Sequence, residues 1–359
     1  MQICKYMQFR IERIYVMKKR VLQILPVCFL CCMLGMAAWN PVKEEVTKDT
    51  GARDKDAGEE MAAAEKTVLQ ETEKETALVL EEESVAVHIP GLKHTYRFMF
   101  LSDLHIIVES DEVSAGNLEN VRARHEMFQS LNGIYSARLW EELPEYFNTQ
   151  HSDAILFGGD MIDYASAANI TALKEGIKKL DAPVMYVRAD HDYNPYNCDS
   201  LDKKDMKKLH ESIDGYEDLP VMEFEDLCIV GINNSTKQIS KGQLKRFREA
   251  VNLGKPIILL THVPLASKVD GSLLEESKKV WQDRALVWGK GCSNEPNKNT
   301  EAFLELVYDA KSQVKAVMCG HLHFTWEGKL TENCMQHVFS AAYPGRYGVI
   351  TVDGKNDGL

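Results

Sequence analysis

The sequence predicts an α/β domain with a layered α/β/β/α arrangement from about residue 86 onward. Three observations predict it. Short, nearly continuous apolar runs recur along this stretch, as they do in strands buried on both faces. Longer, charge-bearing stretches with helical spacing lie between them, and this alternation marks α/β architecture. Five of the runs also stop on Asp or His, so polar chemistry gathers at strand ends.

The strands predicted in order are 96–103 (YRFMFLSD), 153–160 (DAILFGGD), 183–190 (PVMYVRAD), 226–233 (DLCIVGIN), 255–262 (KPIILLTH), 314–321 (VKAVMCGH), 336–342 (QHVFSAA) and 347–353 (YGVITVD). Helices are expected over 117–131, 137–149, 167–180, 201–213, 240–252 and 300–311. No internal repeat is visible.

The N-terminal part differs in kind. Residues 1–39 hold a basic cluster, Lys18, Lys19 and Arg20, followed by an apolar run from Val21 to Ala38. That order fits a secretory signal peptide. The run is also nearly long enough to anchor in a bilayer, although Gln23 and Pro26 weaken that reading. Either reading places the rest of the chain outside the cytoplasm, secreted or tethered to the cell membrane. Residues 40–85 are rich in Glu, Lys, Ala and Thr and almost free of aromatics. Such a composition cannot bury a core and reads as an acidic low-complexity linker. Residues 86–359 are then expected to be the folded domain.

Charge and cysteine usage exclude some classes. The whole chain carries a net charge of −12. The region after residue 38 holds 36 basic and 53 acidic residues. A surface of that sign does not attract nucleic-acid backbone by charge alone. Of nine cysteines, five follow the N-terminal segment, at 198, 228, 292, 319 and 334. They are scattered, odd in number and without C-x-x-C spacing, which supports neither a disulfide framework nor a zinc–thiolate site. The sequence does not specify an oligomeric state.

In an open α/β sheet the carboxyl ends of the strands form the ligand crevice. Here those ends carry Asp103 with His105, Asp160 with Asp163, Asp190 with His191 and Asp192, His262, and His321 with His323. Any one of these pieces is an ordinary turn or cap. Together they place five of 11 histidines and several carboxylates at one edge, which is a metal-binding composition.

The ordered blocks DLH, GGDMID, ADHD, THVPL and GHLH resemble the calcineurin-like metallophosphoesterase family, over roughly residues 95–350. The resemblance implies a sandwich of the metallophosphoesterase type and hydrolysis of phosphomonoesters or phosphodiesters by two adjacent metals and a bridging water. It implies that Asp103, His105, Asp160 and His323 hold the first metal, and that Asp160, Asp190, His262 and His321 hold the second, with Asp160 bridging. A mixed oxygen and imidazole set suits Mn, Fe, Zn or Ni rather than Ca. His191 would stabilise the phosphoryl group or protonate the leaving oxygen, and Asp163 would orient His191. The third block departs from the family, because Ala189-Asp190 stands where Gly-Asn is usual. Asp190 would bring the second metal an extra negative charge and oppose phosphate binding.

Around this set, Arg188 is a candidate for contacting substrate phosphate, with an ion pair to Asp192 or a surface position as its competing roles. Asp192 itself reads as shaping the loop. The long segment after His262, with Trp288, is a candidate cover for the site. A catalytically silent metal- or phosphate-binding surface protein is the alternative. His191 and Asp163 argue against it, since a pure binding site has no need of a leaving-group acid.

Overall fold

The computed structural model describes residues 77–111, 113–196 and 203–355. The segment 1–39 and the linker up to residue 76 lie outside the described residues. No helix among the described residues is long and apolar enough to cross a membrane.

Among the described residues, eleven strands form two sheets. The first has the order β1(Glu81–His88), β11(Arg346–Asp353), β2(Tyr96–Leu101), β3(Ala154–Phe157), β4(Val184–Tyr186). The second has the order β5(Val221–Glu223), β6(Cys228–Ile232), β7(Ile257–Thr261), β8(Val314–Cys319), β10(Cys334–Val338), β9(Trp326–Thr331). Strands β2, β3 and β4 run parallel, as do β6, β7, β8 and β10. Their carboxyl ends therefore open on one edge of each sheet.

The helices are α1(Leu118–Met127), α2(Ser136–Asn148), α3(Ala167–Ile177), the single turn α4(Asp190–Tyr193), α5(Lys203–Glu211), α6(Lys241–Val251), α7(Ser272–Val280) and α8(Lys298–Tyr308). Several begin on the caps that the sequence supplies. Ser166 accepts from the Asn169 amide, Ser240 and Gln243 form a reciprocal capping box, and Asn297 caps α8. Each such cap satisfies amides that the helix leaves unpaired.

Period-two alternation assigns each strand residue to a layer. Phe98 and Phe100 of β2, Ile258 and Leu260 of β7, and Ala316 and Met318 of β8 fill the core between the sheets. Met99 and Leu101 turn the other way, onto Trp140, Leu143, Leu173 and Ile177 of α2 and α3. Ile257 and Leu259 meet Phe247 of α6 and Phe303 of α8 on the outer face of the second sheet. The result is α/β/β/α. Full burial of each such side chain contributes about 1.5–3 kcal/mol, so the sandwich core fixes the strand ends firmly.

All eight expected strands and all six expected helices are present, most of them shorter, with bounds shifted by up to several residues. Three strands were not expected: β1, β5 and β9. Strand β1 starts at Glu81, inside the stretch read as linker, and pairs in parallel along its whole length with β11. Its sequence, EEESVAVH, hides it, since only Val85 and Val87 turn inward. Leu78 and Leu80 also pack against the first helical layer. The folded unit therefore begins before residue 86. Helix α7 was also missed, in the segment after His262.

Candidate metal centre

The loops after β2 and β3 are zipped together beyond the sheet. The amides of Asp103 and His105 donate to the carbonyls of Gly159 and Asp160 at 2.9 and 3.0 Å, and the Asp163 amide returns a bond to Ile106 at 3.1 Å. The glycines of the motifs make this close approach possible. A Cβ on Gly159, which has φ +96°, would lie 2.7 Å from the Ala189 Cβ and 2.9 Å from Nδ1 of His262. A Cβ on Gly320 would lie 2.0 Å from Oγ of Ser102 and 2.2 Å from Oδ2 of Asp103.

Backbone strain is concentrated in these loops. Among the described residues, ten non-glycine residues have positive φ. Asp103, His105, Asp160, His321 and His323 are five of them. L-residues adopt this region rarely, and strain of this kind collects where side chains must be aimed.

The aimed side chains form two triads. In the first, Asp103, His105 and His323 bring one ligand atom each within 4.8 Å of the others. Nε2 of His105 lies 3.3 Å from Nε2 of His323, which in turn lies 3.2 Å from Oδ1 of Asp103. In the second, Asp160, His262 and His321 do the same. Nε2 of His262 lies 3.1 Å from Oδ2 of Asp160 and 3.1 Å from Nδ1 of His321. The triads adjoin, with Nε2 of His262 3.9 Å from Oδ1 of Asp103.

These spacings fit ions. With metal–nitrogen bonds of about 2.0–2.1 Å, two imidazole nitrogens on one ion sit about 2.8–3.4 Å apart. Both imidazole pairs fall in that window. Nε2 of His321 is also buried without a hydrogen-bond partner, which leaves Nδ1 as the atom facing its neighbours.

A second layer of contacts fixes the ring tautomers, as is usual around metal ligands. Nδ1 of His262 lies 2.9 Å from the Gly158 carbonyl, so it donates there and leaves Nε2 for an ion. Nδ1 of His105 lies 3.1 Å from Oδ1 of Asp163, with the same consequence. Asp103 accepts from the Ser102 hydroxyl at 2.7 Å and from the His321 amide at 2.9 Å.

The electrostatics agree with this picture. Burial opposes the ionisation of Asp103 and Asp160, yet the neighbouring imidazoles, His262 foremost, hold both carboxyls below their usual range. Burial and the charge of His262 depress His321 to about 3. Burial opposes protonation of His262 too, but Asp160 and Asp103 carry it up to about 10. Ionised carboxylates packed against buried imidazoles form a donor set for cations.

His191 sits beside the triads, its ring 4.9 Å from that of His105 and perpendicular to it. Its Nδ1 lies 2.6 Å from the backbone carbonyl of Asp163, so it donates there and Nε2 is free. Its amide donates to Oδ1 of Asp160 at 3.1 Å. Burial lowers its pKa, but the charges of Asp160 and Asp163 outweigh that and raise it above the ordinary value.

The carboxylate of Asp163 is engaged differently from expectation. It lies 3.6 Å from His191, while it takes Nε of Arg124 at 2.6 Å, Nη2 of Arg124 at 2.5 Å and Nδ1 of His105 at 3.1 Å. Asp163 thus orients His105 through its side chain and His191 through its backbone. Arg124, on α1, escaped sequence reasoning, because a basic residue in a charged helix carries no local signal.

Three further placements refine the expectations. Asp190 enters neither triad; its Oδ2 meets Nζ of Lys237 at 2.9 Å and the Tyr196 hydroxyl at 3.2 Å. Arg188 is buried, with its guanidinium 5.1 Å from the ring centroids of both Tyr193 and Tyr216. It packs beneath the loop, and among the described residues it forms no ion pair with Asp192. Trp288 is fully buried in the core under the second sheet. Another tryptophan of the same segment, Trp281, reaches the site instead. Its indole donates to the Leu322 carbonyl at 3.1 Å and its ring stands 5.8 Å from that of His323.

Asp192 shapes the loop, as read from the sequence. Its two oxygens accept from the amides of Asp160, Ala189 and Ile162 at 2.8, 2.8 and 3.1 Å. Burial and the charge of Asp160 push its carboxyl up to about 7 against the pull of these donors. Asp192→Ala leaves three amides without an acceptor, at about 1–3 kcal/mol for each one that stays buried and unpaired. A loss of about 3–5 kcal/mol in urea unfolding is the expected result.

A family model, calcineurin-like phosphoesterase, matches residues 96–324. No curated protein matches the chain. Among solved structures, a dimetal phosphatase from Danio rerio is 12% identical with a TM-score of 0.43, the match covering 68% of this chain and 87% of that one. Purple acid phosphatase PPD1 from yellow lupin is 12% identical with a TM-score of 0.39, covering 72% of this chain and 46% of that one. The phosphopantetheinyl hydrolase of Mycobacterium tuberculosis is 12% identical with a TM-score of 0.36, covering 69% and 90%. With the family model spanning well over half of the sequence, the chain belongs to the calcineurin-like phosphoesterases and is a phosphoric ester hydrolase.

Proposed function

We propose that the chain hydrolyses small phosphate esters with two transition-metal ions held side by side. Asp103, His105 and His323 would hold one, and His262, His321 and Asp190 the other, with Asp160 shared between them. The observation that carries this reading is the pair of adjoining triads, with imidazole nitrogens 3.1 and 3.3 Å apart on strained loops. Mn, Fe, Zn or Ni suits the donor set. When bound, two such ions supply Lewis acidity to the phosphoryl oxygens and lower the pKa of an attacking water.

The remaining chemistry falls to the chain's own groups. His191 donates from Nδ1 to the Asp163 carbonyl and keeps Nε2 free beside the triads, so it is the group to stabilise phosphoryl charge and to give a proton to the leaving oxygen. Asp163 and Arg124 hold the geometry beneath it. The net charge of −12 disfavours long nucleic acids as substrates. The basic and apolar N-terminal segment supports delivery of this domain to the outside of the cytoplasm.

The test is an assay of the full-length protein on mono- and bis-p-nitrophenyl phosphate, with and without added Mn²⁺. Hydrolysis that EDTA abolishes and Mn²⁺ restores is expected, and the preferred ester separates monoesterase from diesterase. Folded protein that holds two ions and cleaves neither ester would point to a silent phosphate-binding role instead.

A further inference from the structure

We propose that Lys237 is a specificity-determining residue: its ammonium group balances Asp190 beside the second triad and favours doubly charged phosphomonoesters over singly charged diesters. The inference rests on the phosphate-ester reading and deepens it.

Five carboxylates of the motif loops crowd this region: Asp103, Asp160, Asp163, Asp190 and Asp192, the last of them held by backbone amides. Two of them are answered by cations from outside the motifs. Arg124 pairs with Asp163 through both Nε and Nη2. Nζ of Lys237 pairs with Oδ2 of Asp190 at 2.9 Å. Asp103 and Asp160 face the triad imidazoles instead. Without Lys237, a third negative charge would stand where a phosphate must approach.

Lys237 is built into place. It has φ 56°, in the tight turn after β6, and its amide donates to the Asn234 carbonyl at 2.6 Å. Its own carbonyl accepts from the indole of Trp288 at 2.9 Å. Trp288 is fully buried, so the turn is bolted to the core while the lysine head remains 36% exposed. An ammonium group has three donors. Asp190 is the only partner of Nζ among the described residues, so two donors remain for an anion. Coulombic attraction scales with the ligand's charge, so a dianion gains about twice what a monoanion gains.

The experiment uses the full-length, metal-loaded protein as wild type, Lys237→Met and Lys237→Gln. Three quantities are read: metal ions per chain, calorimetric affinity for inorganic phosphate, and the ratio of kcat/KM on the mono- and bis-p-nitrophenyl esters. Both single variants are expected to keep the wild-type metal count, to bind phosphate about tenfold more weakly, and to lose a similar factor in the ratio. Unchanged phosphate affinity and ratio in Lys237→Met would overturn the proposal and leave a surface ion pair. Loss of metal from both single variants would overturn it too, by making Lys237 structural. The phosphate titration reports on Lys237 even if no ester is cleaved, so failure of the hydrolysis reading appears only in the ester assays.

Discussion

Asp160→Asn is expected to abolish hydrolysis with the fold intact. Asp160 is the only carboxylate of the second triad, 3.1 Å from Nε2 of His262. It also accepts the amide of His191, so it ties the proton donor to the ligand set. Asparagine has the same shape and presents one neutral oxygen, which removes the charge without opening a cavity. Removing an outer partner of a metal ligand costs about 10–100-fold in affinity. Removing the shared ligand itself should cost more and affect both ions. Equilibrium dialysis should therefore show weakened binding at both positions, alongside unchanged circular dichroism. An Asp160→Asn protein that holds metal and turns over at the wild-type rate would show that Asp160 is a structural turn residue.

His191→Ala is the second large effect, and it should separate chemistry from metal binding. Nε2 of His191 has no role in either triad of ligand atoms as assigned, so both ions should remain. The rate should fall by about 10²–10⁴, the usual contribution of a positioned acid or base. The size of the loss should depend on the leaving group. An ester with a good leaving group needs little protonation and should lose least, whereas alkyl esters should lose most. Equal losses across leaving groups would assign His191 to charge stabilisation of the phosphoryl group alone. A loss of metal with the loss of rate would make it a ligand, which the 4.8 Å grouping of His105, Asp163 and His191 also permits geometrically.

Much of this arrangement is legible in the sequence because it depends on short-range rules. A continuous apolar run such as AILF at 154–157 can only be a buried strand, and its carboxyl end must open on the sheet edge. Gly159-Asp160 and Gly320-His321 announce tight turns, and the structure shows what the glycines avoid: a Cβ driven into Ala189, His262 or Ser102. The elements that were missed lack such signals. Strand β1 shows three glutamates at its start and turns only alternate residues inward. Helix α7 lies in a segment whose polar ends resemble a loop.

The partners of the motif residues were the least legible part. Arg124 reaches Asp163 across 39 positions, and nothing in its helix distinguishes it from other surface arginines. Lys237 could have been found, because it follows the end of β6 and strand ends were the rule that located the motif residues. Asn233 and Asn234 attracted no notice there because neither is a strong metal ligand. Asp190 looked like an uncompensated charge for the same reason: its compensation comes from a residue 47 positions away.

The central claim is a pair of ions on one chain, and counting them tests it most directly. The full-length protein, loaded with Mn²⁺ and freed of excess metal, should carry two ions per chain by elemental analysis, and one after His323→Ala disrupts the first triad. A wild-type protein that hydrolyses phosphate esters at full rate with a single ion, or with none, would contradict the account.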